Sequence, residues 1–229
     1  MLNKLDAMLQ GVCPCVMVRR YEELALLEAD GHRFLIGGDA LHVEVRRPWL
    51  HAILKVVDSP VPLPYGQPPL LFSINIERQA LVGGLQHFIR RARDVSPQEH
   101  AAWLTFDPNG GTLGYVEPEV IARGTAHIQY HRPDATASCL PAVDCHSHGL
   151  LPAFFSHTDE RDDRSDDAKL AFVVGSLFEA RPTIAMRFVG FGLAVDLSEW
   201  VRPLLYADGL STDTSTGDEN ECRQRNDNA

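Results

Sequence analysis

Residues 40–46 alternate strictly: Leu41, Val43 and Val45 are separated by His42, Glu44 and Arg46. A period of two puts one set of side chains on one face, which predicts a strand. Residues 15–20 and 33–36 read as strands too. Asp30-Gly31 and Gly37-Gly38 supply turns between them. These elements predict a small β-rich unit. Prolines at 60, 62, 64, 68 and 69 then crowd residues 59–69. Proline removes a backbone donor and disfavours helix, so this stretch is expected to be a linker.

The period changes in residues 74–93. Ile76, Ala80, Leu81, Leu85, Phe88, Ile89 and Ala92 recur at helical spacing, and Arg90, Arg91 and Arg93 suit the negative end of a helix dipole. Gly83-Gly84 weakens this helix or admits a close neighbour. Ser96-Pro97 breaks it. Residues 100–106 are expected to be a buried strand, 108–111 a turn, and 112–116 and 120–130 strands. Residues 141–145 form a short strand leading into His146. Residues 170–178 and 183–195 are two more apolar strands. The expected organisation is a β-rich unit and linker over 1–69, an α/β domain over 70–206, and an acidic tail over 207–229. That tail holds six acids and two arginines with little to bury, a composition expected to stay disordered.

The net charge of −10 argues against broad binding to nucleic acid, which needs basic surface to displace counterions. Cys13, Cys15, Cys139, Cys145 and Cys222 are odd in number and irregular in spacing, which is not a disulfide framework. Cys13-Pro-Cys15 lacks the spacing of a zinc ribbon or a thioredoxin site, so these thiols read as incidental. The first ten residues lack a signal peptide's apolar run, and no stretch reaches the roughly 18–20 apolar residues of a membrane span. A reducing cytoplasm is the expected location.

The chemistry concentrates between Asp144 and Asp159. His146 and His148 stand two apart at the end of an expected strand, so both imidazoles point to one side. Asp159 follows in an expected loop. Two imidazoles and a carboxylate leave a fourth tetrahedral position open, the pattern of a catalytic zinc site. Zinc lowers the pKa of bound water to around 7, and a general base must still take the proton. A His-x-His pair by itself fits a solvated turn equally well. The other acids, Glu160, Asp162, Asp163, Asp166 and Asp167, are expected in a solvated loop; contacts that orient the ligands, or a basic substrate surface, are the alternatives.

His146-x-His148, seven residues, Ser156, two residues and Asp159 resemble the pattern of the JAMM (MPN-plus, or JAB) zinc metallopeptidases, over roughly residues 71–206. The resemblance implies an α/β fold with a curved, mostly antiparallel sheet flanked by helices. It implies His146, His148 and Asp159 as Zn2+ ligands, Ser156 as an oxyanion donor, and an upstream Glu as general base and acid. Glu99, after the helix and at the start of an apolar strand, matches that place. Glu117 and Glu119 are rivals beside Pro118 in an expected turn. One departure is Gly149, where many members carry proline. The phrase His-Ser-His-Gly with Pro-Ala-Phe-Phe-Ser-x-Thr-Asp looks especially like the branch found in PRTRC systems, plasmid-associated cassettes. Those cassettes also hold a ParB-like protein, a ThiF/E1-like protein and a small ubiquitin-like protein. The resemblance therefore implies hydrolysis of amide or isopeptide bonds, a ubiquitin-like substrate and a possible ThiF/E1-like partner.

Two other classes stay open: a non-cleaving MPN-like binding scaffold, and a plasmid-maintenance factor acting through protein contacts. An amidohydrolase barrel is excluded. Asp-x-His-x-His opens the first strand of such barrels, which need about 200–250 residues. Only 83 residues follow His146.

Overall fold

The computed structural model describes residues 3–125, 127–163 and 168–206. The expected disordered tail, Cys222, Asp166 and Asp167 lie outside the described residues. The chain divides into two compact units at Asn75/Ile76.

The first unit opens with helix α1, Lys4–Val12, whose N-cap Asn3 accepts a hydrogen bond from the Asp6 amide. Strands β1 (Cys15–Met17), β2 (Gly31–Ile36), β3 (Ala40–Arg47), β4 (Leu50–Asp58) and β5 (Leu71–Ile74) form one sheet in sequence order. The pair β1/β2 is parallel and the rest are antiparallel. Leu35, Val43, Val45, Trp49, Leu50 and Ala52 form its buried interior. Glu44 is buried with them. It accepts from the Leu27 amide (2.7 Å) and Arg33 Nε (2.6 Å), and meets His51 Nε2 at 2.9 Å. A buried carboxylate is tolerable only when its lone pairs are met in this way.

The Pro-rich stretch differs from the expected linker. The Leu63 amide donates to the Gly38 carbonyl, the Gly38 amide to Gly66, and the Gly66 amide to Val18. The stretch thus packs on the first unit, and β5 beyond it pairs with β4. That pairing moves the division from 69/70 to 75/76 and shortens the following helix.

In the second unit, α2 spans Arg78–Val95, with Glu77 accepting from the Ala80 amide as its cap. Leu81, Leu85, Phe88, Ile89 and Ala92 are its buried face, as the sequence periodicity predicts. At Gly84 an added Cβ would lie 3.0 Å from a Leu104 methyl, so glycine here allows close packing. Strands β6 (Ala101–Asp107), β7 (Thr112–Val116), β8 (Val120–Arg123), β9 (Ile128–Tyr130) and β10 (Leu140–Ser147) follow. Next come helix α3 (His157–Asp163), strands β11 (Lys169–Gly175), β12 (Thr183–Gly190) and β13 (Leu193–Asp196), and helix α4 (Ser198–Tyr206). The main sheet runs β13-β12-β11-β10-β6-β7, and β8/β9 form a separate hairpin. Only β10/β11 is parallel within the main sheet.

The expected class, a mostly antiparallel α/β fold after a β-rich unit, is the one observed. Parallel neighbours cannot be joined by a tight turn, so the chain leaving β10 must cross over before entering β11. That crossover carries α3 and every candidate residue after His146. Two expected single strands are hairpins instead. Residues 120–130 split into β8 and β9, and 183–195 into β12 and β13, turning at Phe191 (φ 56°) and Gly192 (φ 75°). No helix among the described residues is long and apolar enough to cross a membrane.

Candidate metal centre

Strand β10 sits between β6 and β11, with His146 beside Ala101 on one side and Val173 on the other. Cys145 points to the opposite face and is fully buried; burial raises its thiol pKa well above the ordinary value. Beyond the strand, the His148 amide still donates to the Val174 carbonyl (2.8 Å). The two imidazoles therefore stay on one side, with ring centroids 5.2 Å apart.

The chain then turns sharply. Gly149 has φ 56°, the Leu151 amide donates to the His148 carbonyl, and the Leu177 amide donates to the Gly149 carbonyl. Proline, fixed near −65°, cannot take this conformation. Glycine at 149 therefore specifies a defined turn. The turn brings the Pro152 carbonyl to 3.2 Å from His148 Nδ1. A carbonyl can only accept, so Nδ1 carries the proton and Nε2 keeps its lone pair for a metal. Burial and the neighbouring His146 lower the His148 pKa, which favours the neutral ligand form.

Asp159 lies on α3, not in a loop. Ser156 immediately precedes that helix. The Ser156 amide donates to Asp159 Oδ2 (2.6 Å), and the Asp159 amide donates to Ser156 Oγ (3.3 Å). This reciprocal pair is a capping box, in which side chains satisfy orphan amides of the first turn. It leaves Asp159 Oδ1 free to face His146 Nε2, 3.5 Å away. Ser156 Oγ accepts there and still owns a proton to donate. One donor atom each from His146, His148 and Asp159 lie within 4.8 Å of one another. Tetrahedral zinc with bonds near 2.0–2.1 Å spaces its ligand atoms by about 3.3 Å. The donor set fits such an ion with small adjustments.

Glu99 lies just before β6, buried, with its amide donating to the Gly124 carbonyl. Desolvation, and then the negative charge of Asp159, push its pKa to about 7. The next residue, His100, exchanges hydrogen bonds with Ser147, which stands between the two histidines, and this brings Glu99 to the same site. Glu117 is exposed and engaged elsewhere, with Arg91 at 3.0 Å and His100 at 3.5 Å.

The solvated-loop expectation fails at Asp163, and its partners Lys169 and Arg187 were not expected. Asp163, expected in a solvated loop, is buried and meets Lys169 Nζ at 2.9 Å and Arg187 Nε at 3.1 Å. Lys169 also donates to Asp144 (2.8 Å), which accepts from the Tyr130 hydroxyl (2.6 Å). A signal existed: Arg187 is a lone cation inside an apolar strand, and such a charge needs a partner.

Residues 82–189 match the family of prokaryotic homologs of the JAB domain. This segment is therefore similar to the JAB domain. Residues 3–70 match a domain of unknown function, DUF2016. No curated protein matches the chain. Among solved structures, protein DSY2949 from Desulfitobacterium hafniense is similar at 14% identity and a TM-score of 0.38, over 50% of this chain and 85% of that one.

Proposed function

We propose that the JAB-type domain is a zinc-dependent hydrolase of amide or isopeptide bonds. The reading rests on one observation: two imidazoles and a carboxylate converge beside a buried Glu99 whose pKa is raised to about 7. His146, His148 and Asp159 would hold zinc, which supplies Lewis acidity and a water nucleophile at neutral pH. Glu99 accepts the attacking water's proton and returns it to the leaving amine. A base with pKa near the working pH is effective in both directions. The Ser156 hydroxyl donates to the oxygen that gains negative charge, while its capping bond to the Asp159 amide holds it in place.

The substrate in this proposal is the C-terminal Gly of a ubiquitin-like protein, joined to a lysine or to a short extension. The setting is a PRTRC-type cassette with a ThiF/E1-like partner. Support comes from the sequence resemblance and from chemistry: an extended glycine tail has no side chains to obstruct a narrow approach. The test incubates zinc-loaded protein with the ubiquitin-like protein of its own genome, fused through its C-terminus to a reporter. Cleavage after the Gly, abolished by chelator and by Glu99→Gln, supports the proposal. Zinc binding without cleavage of that fusion or of unrelated peptides, with or without the cassette partners, points to the binding scaffold.

A further inference from the structure

Helix α3 carries Asp159, yet its sequence, His-Thr-Asp-Glu-Arg-Asp-Asp, has no large apolar side chain. It is seven residues long, and isolated helices shorter than about 12–15 residues are marginal in water. Hydrophobic burial, the usual anchor of a short helix, is missing. Asp163 is its one buried residue.

Asp163 stands four residues after Asp159, one turn along the same face. It is gripped by Lys169 at the start of β11 and by Arg187 on β12. Arg187 also covers the ring of Phe155, with its guanidinium carbon 3.8 Å from the centroid. Phe155 directly precedes Ser156. Arg187 therefore holds the chain on both sides of the Ser156–Asp159 capping box, at Phe155 before it and Asp163 after it. Lys169 closes the group through Asp144, two residues before His146 on β10. The strand that bears His146 and the helix that bears the carboxylate are thus tied by one set of ion pairs.

We infer that Asp163, through Arg187 and Lys169, is the positioning residue for the Asp159 carboxylate, docking α3 where hydrophobic packing cannot. The inference rests on the metal-site reading for its consequence but not for its mechanics. Two consequences follow. Loss of the anchor lets α3 leave the sheet in the metal-free protein. It also weakens zinc binding, because a third donor that must first be placed binds with lower apparent affinity.

The experiment compares full-length wild type, Asp163→Asn and Arg187→Gln, with Glu160→Gln on the exposed side of α3 as control. Hydrogen exchange of the metal-free proteins reads docking, and competition with a chromophoric chelator reads zinc affinity. Asp163→Asn is expected to speed exchange of the α3 amides with β10 and β11 unchanged. It is also expected to weaken zinc binding roughly 10- to 100-fold, the range for residues that orient metal ligands. The control is expected to match wild type. If Asp163→Asn does not fold, Arg187→Gln, which keeps the Lys169 pair, is judged by the same two readouts. A folded anchor variant with wild-type α3 exchange and zinc affinity within twofold overturns the inference. A wild type that binds no zinc overturns the metal-site reading; faster α3 exchange in the variant would then still support the anchor.

Discussion

Glu99 stores a pH-dependent penalty that Glu99→Gln should release. Glu99 is 5% exposed, and burial, with the Asp159 charge second, pushes its pKa from the ordinary 4.5 up to about 7. Below pH 4.5 it is protonated folded or unfolded and has no effect. Between 4.5 and 7 the folded state binds more protons than the unfolded, so stability falls as pH rises. Above 7 the cost is complete. At about 1.36 kcal/mol per unit, a shift of roughly 2.5 units amounts to about 3 kcal/mol. Glutamine is close in shape and never ionises. The variant is therefore expected to match wild type near pH 4.5 and to exceed it by about 3 kcal/mol at pH 8. The assay is urea denaturation of chelator-treated proteins in a Trp49→Phe background, so that Trp103 and Trp200 report the second unit. A stability difference that does not change with pH, or a wild type more stable at pH 8, refutes this account of Glu99.

Elemental analysis is expected to find about one zinc per chain, and His148→Ala is expected to lose it; metal-free protein with full activity would end the proposed chemistry. Glu99→Gln should keep zinc yet lower hydrolysis by roughly 10²- to 10⁴-fold, the usual worth of a general base. Loss of zinc in that variant would make Glu99 a ligand instead. Gly149→Ala is expected to cost about 1–2 kcal/mol by denaturation, because an L side chain is strained at φ 56°. Its Cβ would also lie 3.1 Å from the Pro97 carbonyl. Gly149→Pro is expected to cost more and to reduce zinc content.

What the sequence disclosed depended on how local the determining forces are. His146 and His148 were legible because strand period fixes their common side, and α2 because its apolar face, Leu81 to Ala92, repeats over about three turns. The start of α2 was not. Residues 71–74 pair with β4, a nonlocal contact that claims them before the helix can. The β12–β13 hairpin was hidden because its turn uses Phe191 at positive φ, where Asn or Gly is the usual signal. Helix α4 was hidden by Pro203 in its interior, although Val201 and Leu205 are buried. Helix α3 was hidden most completely. A polar run without an apolar stripe reads as loop, and neither its capping bonds nor the ion pairs of Asp163 leave a pattern in the sequence.

That helix explains the spacing between Ser156 and Asp159. In a capping box the residue before the helix and the third residue within it exchange bonds, which requires two residues between them. Ser156 and Asp159 meet that condition, and each keeps one function in reserve. Asp159 gives Oδ2 to the Ser156 amide and turns Oδ1 toward His146. Ser156 gives a lone pair to the Asp159 amide and retains its proton. The same two side chains can thus cap the helix and serve the site. Capping side chains are typically worth about 1 kcal/mol. Ser156→Ala is therefore expected to lower both the order of α3 and the affinity for zinc, although Ser156 is not one of the three proposed ligands. Zinc binding unchanged in Ser156→Ala, with hydrolysis alone reduced, would separate the two roles and leave the hydroxyl as an oxyanion donor only.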